Sequence, residues 1–130
     1  NICDDVAFKN FKKNVENHKN ELVDLVSKLT SSNYKVAGYG ASTKGNVILQ
    51  YCQFNKENIF AIADVNPDKY NCFTPGTNIP ICSEEVVKKD KPDYMLVLPW
   101  HFKNTIIKRE SEYLSKGGRL IFSFPVIEVL

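Results

Sequence analysis

The chain opens with a helical pattern of apolar positions. Seven residues recur at alternating spacings of three and four, which places them on one face of a helix: Phe8, Phe11, Val15, His18, Leu22, Leu25 and Leu29. The spacing predicts a helix from about Asp4 to Leu29, roughly 39 Å long at 1.5 Å per residue. Because such a helix is longer than a small core is wide, we expect part of it to pack on a neighbouring domain. His18, on the apolar face, is interpreted as a packed or interface histidine.

From Tyr34 onward, short apolar runs alternate with helical stretches. The runs predict five strands, at 34–39, 59–63, 79–81, 94–98 and 119–124. Helices are expected through 46–51, after a Ser83 cap, and from about Phe102 to Ser115, where Gly117 and Gly118 end the last one. Apolar strands alternating with helices are typical of a parallel sheet covered on both faces. The prediction is an α/β fold: a long N-terminal helix at 1–33 and a three-layer Rossmann-like sandwich, mostly parallel, at 34–130.

Composition narrows the function classes. The 130 residues include 17 Lys+Arg and 15 Asp+Glu, so the formal net charge is 17 − 15 = +2. A charge this small does not indicate binding to nucleic acid or anionic lipid. The apolar runs are far shorter than the ~20 residues of a membrane span. The four cysteines, at 3, 52, 72 and 82, form no CxxC pair. We therefore expect no metal, reduced cysteines, a cytoplasmic setting, and neither nucleic acid nor membrane as a partner.

The turn after the first predicted strand is a candidate anion site. It reads Gly38-Tyr39-Gly40-Ala41-Ser42-Thr43-Lys44-Gly45, and in parallel sheets ligands bind outside the carboxyl ends of the strands. Glycine allows a sharp turn, helix N-terminal amides attract anions, and Lys44 adds a cation. The turn nevertheless departs from GxGxxG at Thr43, and no register supplies a P-loop. A tight turn without a ligand is the equally simple alternative.

Two further candidates follow other strands. Asp64 ends the second strand, where a carboxylate can accept hydrogen bonds from a sugar hydroxyl or can cap a turn. Trp100 and His101 follow the fourth strand, where they could stack on a ring or contact a phosphate, or simply pack over the sheet edge. The sequence displays no nucleophile–base pair and no carboxylate pair, so we predict no catalytic residue in this chain.

Six segments, taken in order, resemble a known family. They are Gly38–Asn46, Asp64–Lys69, Pro75–Ile81, Lys91–Tyr94, Leu98–Phe102 and Gly117–Ile121. Together they are similar to the C-terminal domain of S-adenosylmethionine-dependent C-methyltransferases, which methylate nucleotide-linked keto-sugars. The resemblance covers nearly the whole chain.

The resemblance implies a three-part enzyme of which this chain is one part. In that family a cysteine-rich domain holds zinc, a middle Rossmann domain binds S-adenosylmethionine, and the catalytic cluster lies before the C-terminal domain. The start at Asn1 rather than a methionine agrees with an excised domain. Implied partners are the zinc-binding and S-adenosylmethionine-binding domains of the same chain and a sugar-nucleotide substrate. A homo-oligomer is a further candidate, although the sequence does not identify the oligomeric state. By itself the chain is expected to be inactive and to bind no cofactor.

The resemblance also implies a chemistry and a set of substrate contacts. A base removes the proton beside the keto group, and the enolate takes the methyl group from the sulfonium; both the base and the donor belong to other domains. This chain would position the substrate and exclude water. The residues assigned to the substrate are Tyr39, Gly40, Ala41, Ser42, Lys44, Asp64, Asn66, Thr77, Trp100 and His101.

Two other functions fit the same residues. One is an autonomous nucleotide- or coenzyme-A-binding module, because Gly-Ala-Ser turns also occur in such folds. The other is an interaction domain whose first helix mediates dimerisation.

Overall fold

A computed structural model describes residues 2–123 and 126–130, without the side chains of residues 2–8, 11 and 12. Its helices are α1 (Ile2–Ser31), α2 (Thr43–Tyr51), α3 (Glu84–Lys89), α4 (Lys103–Arg109) and α5 (Ser111–Ser115). Its strands are β1 (Val36–Tyr39), β2 (Ile62–Asp64), β3 (Ile81–Ser83), β4 (Tyr94–Val97), β5 (Arg119–Phe122) and β6 (Glu128–Val129). Two 3-10 turns, Pro67–Lys69 and Trp100–Phe102, follow β2 and β4.

The strands form one six-stranded sheet in the order β3-β2-β1-β4-β5-β6. All neighbouring strands are parallel except β5 and β6, which are antiparallel. In the β1–β4 pair Val36 lies opposite Tyr94, and in the β4–β5 pair Tyr94 lies opposite Arg119, so these three strands start at one level. The chain reverses direction across the sheet between β1 and β4, which is where ligands bind in folds of this kind.

Alternation along the strands divides the core between the two faces of the sheet. Val36, Leu96 and Ile121 point to the face covered by α1 and α2, where they meet Leu22 and Leu49. Residues one position along point to the opposite face, which α3, α4 and α5 cover. The members of that second cluster include Ala37, Tyr39, Met95, Val97, Leu120 and Phe122. Helices on both faces of a mostly parallel sheet make the predicted three-layer α/β sandwich, and this prediction is confirmed.

The long first helix is confirmed, and only part of it covers the sheet. Leu22 and Val26 are fully buried, whereas the described side chains at 9, 10 and 13–17 are all exposed. The His18 ring hydrogen-bonds through Nε2 to the carbonyl of Ser123, just beyond the end of β5. The part of α1 before His18, residues 2–17, is about 24 Å long at 1.5 Å per residue. Of the predicted apolar stripe, Phe8 and Phe11 lie outside the described side chains.

Several predicted strand limits differ from those in the structure. The second strand is shorter than predicted, beginning at Ile62, and the third begins at Ile81, where Ile79 was expected to start it. Ile79 is instead the fully buried anchor of a turn, its amide bonded to the Thr74 side chain. Phe124 and Pro125, predicted to end the last parallel strand, lie outside the described residues. The short antiparallel β6 was not predicted, since two residues are too few to display an alternation.

The single helix predicted from Phe102 to Ser115 is wrong in detail, because the structure divides it at Glu110. This residue leaves helical geometry (φ −98°, ψ 22°) and separates α4 from α5. Its side chain is almost completely buried, where Tyr39 donates a 3.0 Å hydrogen bond to one carboxylate oxygen and Lys88 donates to the other. The break between α4 and α5 thus occurs at Glu110, a buried carboxylate that is paired with Lys88 and hydrogen-bonded to Tyr39.

Both outer strands of the sheet are short. β3 has three residues and β6 has two. A 2.7 Å ion pair joins Glu128 of β6 to Lys103 at the start of α4, and the same ammonium lies 5.5 Å from the centre of the Phe122 ring. Although α1 is 30 residues long, it is strongly charged, and no helix in the described part of the chain could span a membrane.

Leu22→Ala should lower the free energy of unfolding by about 2–5 kcal/mol, because it leaves a cavity between α1 and the sheet. Val15, on the same helix face, is 36% exposed, and Val15→Ala should change the free energy by no more than about 0.5 kcal/mol. Urea denaturation followed by circular dichroism measures both. Equal effects of the two substitutions would contradict the packing of α1 described above.

Ionisation of Tyr113 should contribute to a loss of stability of the domain at alkaline pH. Its hydroxyl donates a 2.8 Å hydrogen bond to the carbonyl of Pro92, and burial raises the pKa of Tyr113 from 10.0 to about 12. The raised pKa contributes stability that is complete below pH 10 and is lost as the pH rises toward 12, since the unfolded chain ionises first.

Urea denaturation of the wild type and of Tyr113→Phe, near neutral pH and near pH 11, tests this linkage. Tyr113→Phe should be less stable by about 1 kcal/mol near neutral pH, because it loses the hydrogen bond. Its further loss at alkaline pH should be smaller than that of the wild type. The same alkaline loss in both proteins would assign the pH dependence to other groups.

Candidate functional site

The candidate site lies at the carboxyl edge of the sheet, where the chain leaves the neighbouring strands β1 and β4. Gly40 leaves β1 with φ +84°, and a Cβ built on it would lie 2.8 Å from Cδ of Pro99, the residue that follows β4 by two positions. Gly45, in the first turn of α2, likewise approaches Leu98, with 2.5 Å between its would-be Cβ and the Cβ of Leu98. A side chain at Gly40 would push the ends of β1 and β4 apart, and one at Gly45 would push α2 away from the residue that follows β4. The backbone therefore approaches closely at this edge.

The turn after β1 leads directly into α2, as predicted. Ser42 is the N-cap: its backbone is extended and its Oγ accepts a 3.0 Å hydrogen bond from the amide of Gly45. Lys44, in the first turn of α2, is exposed. The positive end of the α2 dipole and an exposed lysine therefore belong to the same helical turn at the carboxyl edge.

Asp64 holds this turn in place. Its Oδ2 accepts a 2.7 Å hydrogen bond from the amide of Ala41, and its Oδ1 accepts a 2.8 Å bond from the amide of Asn66. The carboxylate is buried and joins the end of β2 to the turn after β1. Both oxygens thus already accept backbone donors, the arrangement of a turn cap.

Sequence analysis missed two residues that complete this junction. Lys69 donates a 2.6 Å hydrogen bond to the carbonyl of Ala41 and lies 3.9 Å from the Asp64 carboxylate. Tyr70 donates a 2.8 Å hydrogen bond from its hydroxyl to the backbone carbonyl of Asp64. The sequence analysis identified the segment Asp64–Lys69 as a motif. It did not predict the 3-10 turn at Pro67–Lys69, which brings Lys69 and Tyr70 back to this junction.

Tyr39 lies on the opposite face of the sheet from the first turn of α2. Its hydroxyl donates to Glu110, and its phenol is buried among residues that face α3 and α4. Burial, together with the negative charge of Glu110, raises the pKa of Tyr39 well above its usual range. The phenol is therefore a neutral hydrogen-bond donor rather than a base. Glu84 and Arg109, 2.8 Å apart, continue the same polar network toward the surface.

The aromatic residues after β4 form a contiguous group in the 3-10 turn Trp100–Phe102. The rings of Trp100 and His101 meet edge to face at 5.6 Å, and those of His101 and Phe102 lie 4.2 Å apart. Trp100 is half-buried, whereas His101 and Phe102 are exposed. The structure therefore brings the two predicted aromatic residues to the edge that carries the turn and Asp64, and adds Phe102 to them.

The remaining two predicted residues have different positions. Asn66 is exposed beside Asp64, and its Oδ1 accepts a 3.1 Å hydrogen bond from the amide of Asp68. Thr77 precedes β3 and hydrogen-bonds to Thr74, next to the 55–57 loop that precedes β2. It lies at the amino edge, so the structure does not bring it together with the other nine residues.

Concave surface exists at both edges of the sheet. At the amino edge a groove of about 670 Å³ contains Thr77 and Phe73. At the carboxyl edge a smaller groove of about 250 Å³ lies on the α3 and α4 side, with Tyr39, Gly40 and Asp64 in its wall. We take the smaller groove as part of the site, because three of the ten predicted residues, Tyr39, Gly40 and Asp64, line it.

Comparison with known proteins agrees with this architecture. Residues 1–125 match the family model described as the C-methyltransferase C-terminal domain. The chain is also 33% identical over 129 residues to the C-methyltransferase NovU of Streptomyces niveus, covering 99% of this chain and 31% of that protein. It thus spans about a third of the length of this curated relative. The chain belongs to the family of C-methyltransferase C-terminal domains.

Proposed function

We propose that this chain is the substrate-binding domain of a methyltransferase that uses S-adenosylmethionine to methylate a carbon of a nucleotide-linked keto-sugar. Membership of the C-methyltransferase family supports the reaction class. The observation that carries the substrate assignment is the N-terminus of α2 at the carboxyl edge, where Ser42 is the N-cap and Lys44 is exposed in the first turn.

The first turn of α2 suits the diphosphate of such a substrate. Helix N-terminal amides and a lysine together favour an anion, and the α2 dipole adds to the attraction. Gly40 and Gly45 let the backbone approach closely at this point. Of the other predicted contacts, Ala41 and Asn66 line the junction held by Asp64, and Trp100 and His101 border it from β4.

The same turn fits S-adenosylmethionine or a dinucleotide poorly. The acid at the end of β2 usually accepts hydrogen bonds from ribose hydroxyls, but here both oxygens of Asp64 accept backbone amides. Thr43 also stands where a dinucleotide-binding turn has its third glycine. We therefore assign the methyl donor, and the base that removes the substrate proton, to other domains of the enzyme. This chain contributes orientation of the sugar nucleotide and exclusion of water.

The exposed side chains at 9, 10 and 13–17 of α1 support contact of this helix with those other domains. The His18 contact places this part of α1 near the end of β5. Dimerisation through this helix is the alternative, but it would have to use residues other than Leu22, because Leu22 is fully buried in the core.

Lys44→Ala should weaken the binding of a nucleoside diphosphate sugar to the chain by about tenfold, the effect of losing one charge-assisted contact. Lys56→Ala is the matched control, since Lys56 is also exposed but lies at the amino edge. Isothermal titration calorimetry with dTDP and with a dTDP-4-keto-sugar measures both variants.

S-adenosylmethionine and NAD, titrated in parallel, identify the competing functions. Binding of either cofactor while the sugar nucleotides give no heat would contradict the proposal and favour an autonomous cofactor-binding module. Equal losses from Lys44→Ala and Lys56→Ala would contradict the place assigned to the diphosphate.

A further inference from the structure

The carboxyl edge has two sides of different chemistry. The α2 side offers helix amides and Lys44. The α3 and α4 side offers the 250 Å³ groove, whose wall contains Val65, Pro99, Phe102 and Ile106. Gly40 lies at the junction and borders the groove from β1.

The charges around the groove disfavour an anion. Asp64 and Glu84 both contribute carboxylates to its wall. Arg109, also in the wall, is 2.8 Å from Glu84, so these two charges pair with each other and the wall keeps one carboxylate in excess, that of Asp64. A phosphate placed here would meet carboxylates, whereas on the α2 side it would meet a lysine and a helix N-terminus.

The rim of the groove exposes apolar surface. Val65 is 59% exposed and Phe102 is 55% exposed, and both border the groove. Contact with the neighbouring His101 ring, 4.2 Å away, supports the Phe102 ring. Covering such surface with an apolar ligand face is favourable by about 25 cal/mol per Å².

The volume limits what can enter. Sites that enclose a drug-sized ligand measure about 300–1,000 Å³, so a groove of about 250 Å³ accepts a single ring and not a complete sugar nucleotide. A ligand that spans both sides of the edge would therefore place one part in the groove and its charged part outside.

We propose that this groove receives an uncharged ring of the substrate, stacked on Phe102, while the diphosphate lies at Ser42 and Lys44. The inference rests on the proposed function and adds a direction to it: the ring lies toward α4 and the phosphates toward α2. Phe102 and Val65 become ring-contacting residues, and His101 becomes a positioning residue that supports Phe102. The ring is either the base or the sugar, since both present an uncharged apolar face.

Amide chemical shifts of the ¹⁵N-labelled chain test the proposal with three separate probes. Thymidine represents the base, a methyl 6-deoxyhexopyranoside the sugar, and inorganic pyrophosphate the charged part. One of the two ring probes should shift the amides of Val65, Phe102 and Arg109, and which one does so identifies the ring. Pyrophosphate should shift the amides of the 42–45 turn instead.

Phe102→Ala should weaken binding of the active ring probe by at least about fivefold, because stacking on an aromatic side chain is lost. Phe73→Ala is the matched control, since Phe73 is 62% exposed but borders the groove at the amino edge. Because both rings are exposed, both variants should keep the fold, which their amide spectra verify directly.

The outcomes separate this inference from the proposed function. If pyrophosphate shifts the 42–45 amides while neither ring probe affects the groove, the inference is overturned and the phosphate assignment stands. If a ring probe binds in the groove and pyrophosphate has no effect, the result supports the ring site and contradicts the proposed position of the diphosphate. Silence of all three probes, or equal effects of Phe102→Ala and Phe73→Ala, overturns the inference.

Discussion

The carboxylate of Asp64 is the constraint on which the candidate site depends. It lies at the end of β2, accepts the amides of Ala41 and Asn66, and so fixes the relative position of two neighbouring strand ends. Lys69 closes the same junction by binding the Ala41 carbonyl. A buried carboxylate is tolerated only when it is fully hydrogen-bonded, and here its partners are the backbone groups that shape the turn. The direction in which α2 presents its first turn follows from that one junction.

A second buried carboxylate organises the other face of the sheet. Glu110 receives hydrogen bonds from Tyr39 of β1 and Lys88 of α3, and its own position separates α4 from α5. The two acids stabilise different parts of the fold. Asp64 holds the turn after β1 at the carboxyl edge, and Glu110 joins β1 and α3 at the break between α4 and α5. Removing Lys88 would leave the Glu110 charge uncompensated in the core, which costs several kcal/mol, whereas removing the Tyr39 hydroxyl would remove one hydrogen bond and keep the ion pair.

The architecture could be predicted because the apolar runs and helical stretches alternate without interruption from Tyr34. The convergence of the turn, Asp64 and Trp100 at one edge also followed from the rule that strand ends meet there. The side-chain partners could not be predicted. Alternation puts Tyr39 and Gly38 on opposite faces, but nothing in the sequence pairs Tyr39 with Glu110, 71 positions away. Thr77 lies apart from the other nine residues because it precedes a strand, which puts it at the amino edge, and its contact with substrate stays a prediction.

The outer side of β3 affects how the domain meets other polypeptides. Open strand edges are templates for further pairing, and long flat ones promote aggregation. Here the amide and the carbonyl of Ile81 in β3 already bond to Cys72 and Asn71, on the side of the strand away from β2. The chain thus folds back on its own edge strand. A neighbouring domain that approaches this side of the sheet meets main-chain groups of Ile81 that are already paired.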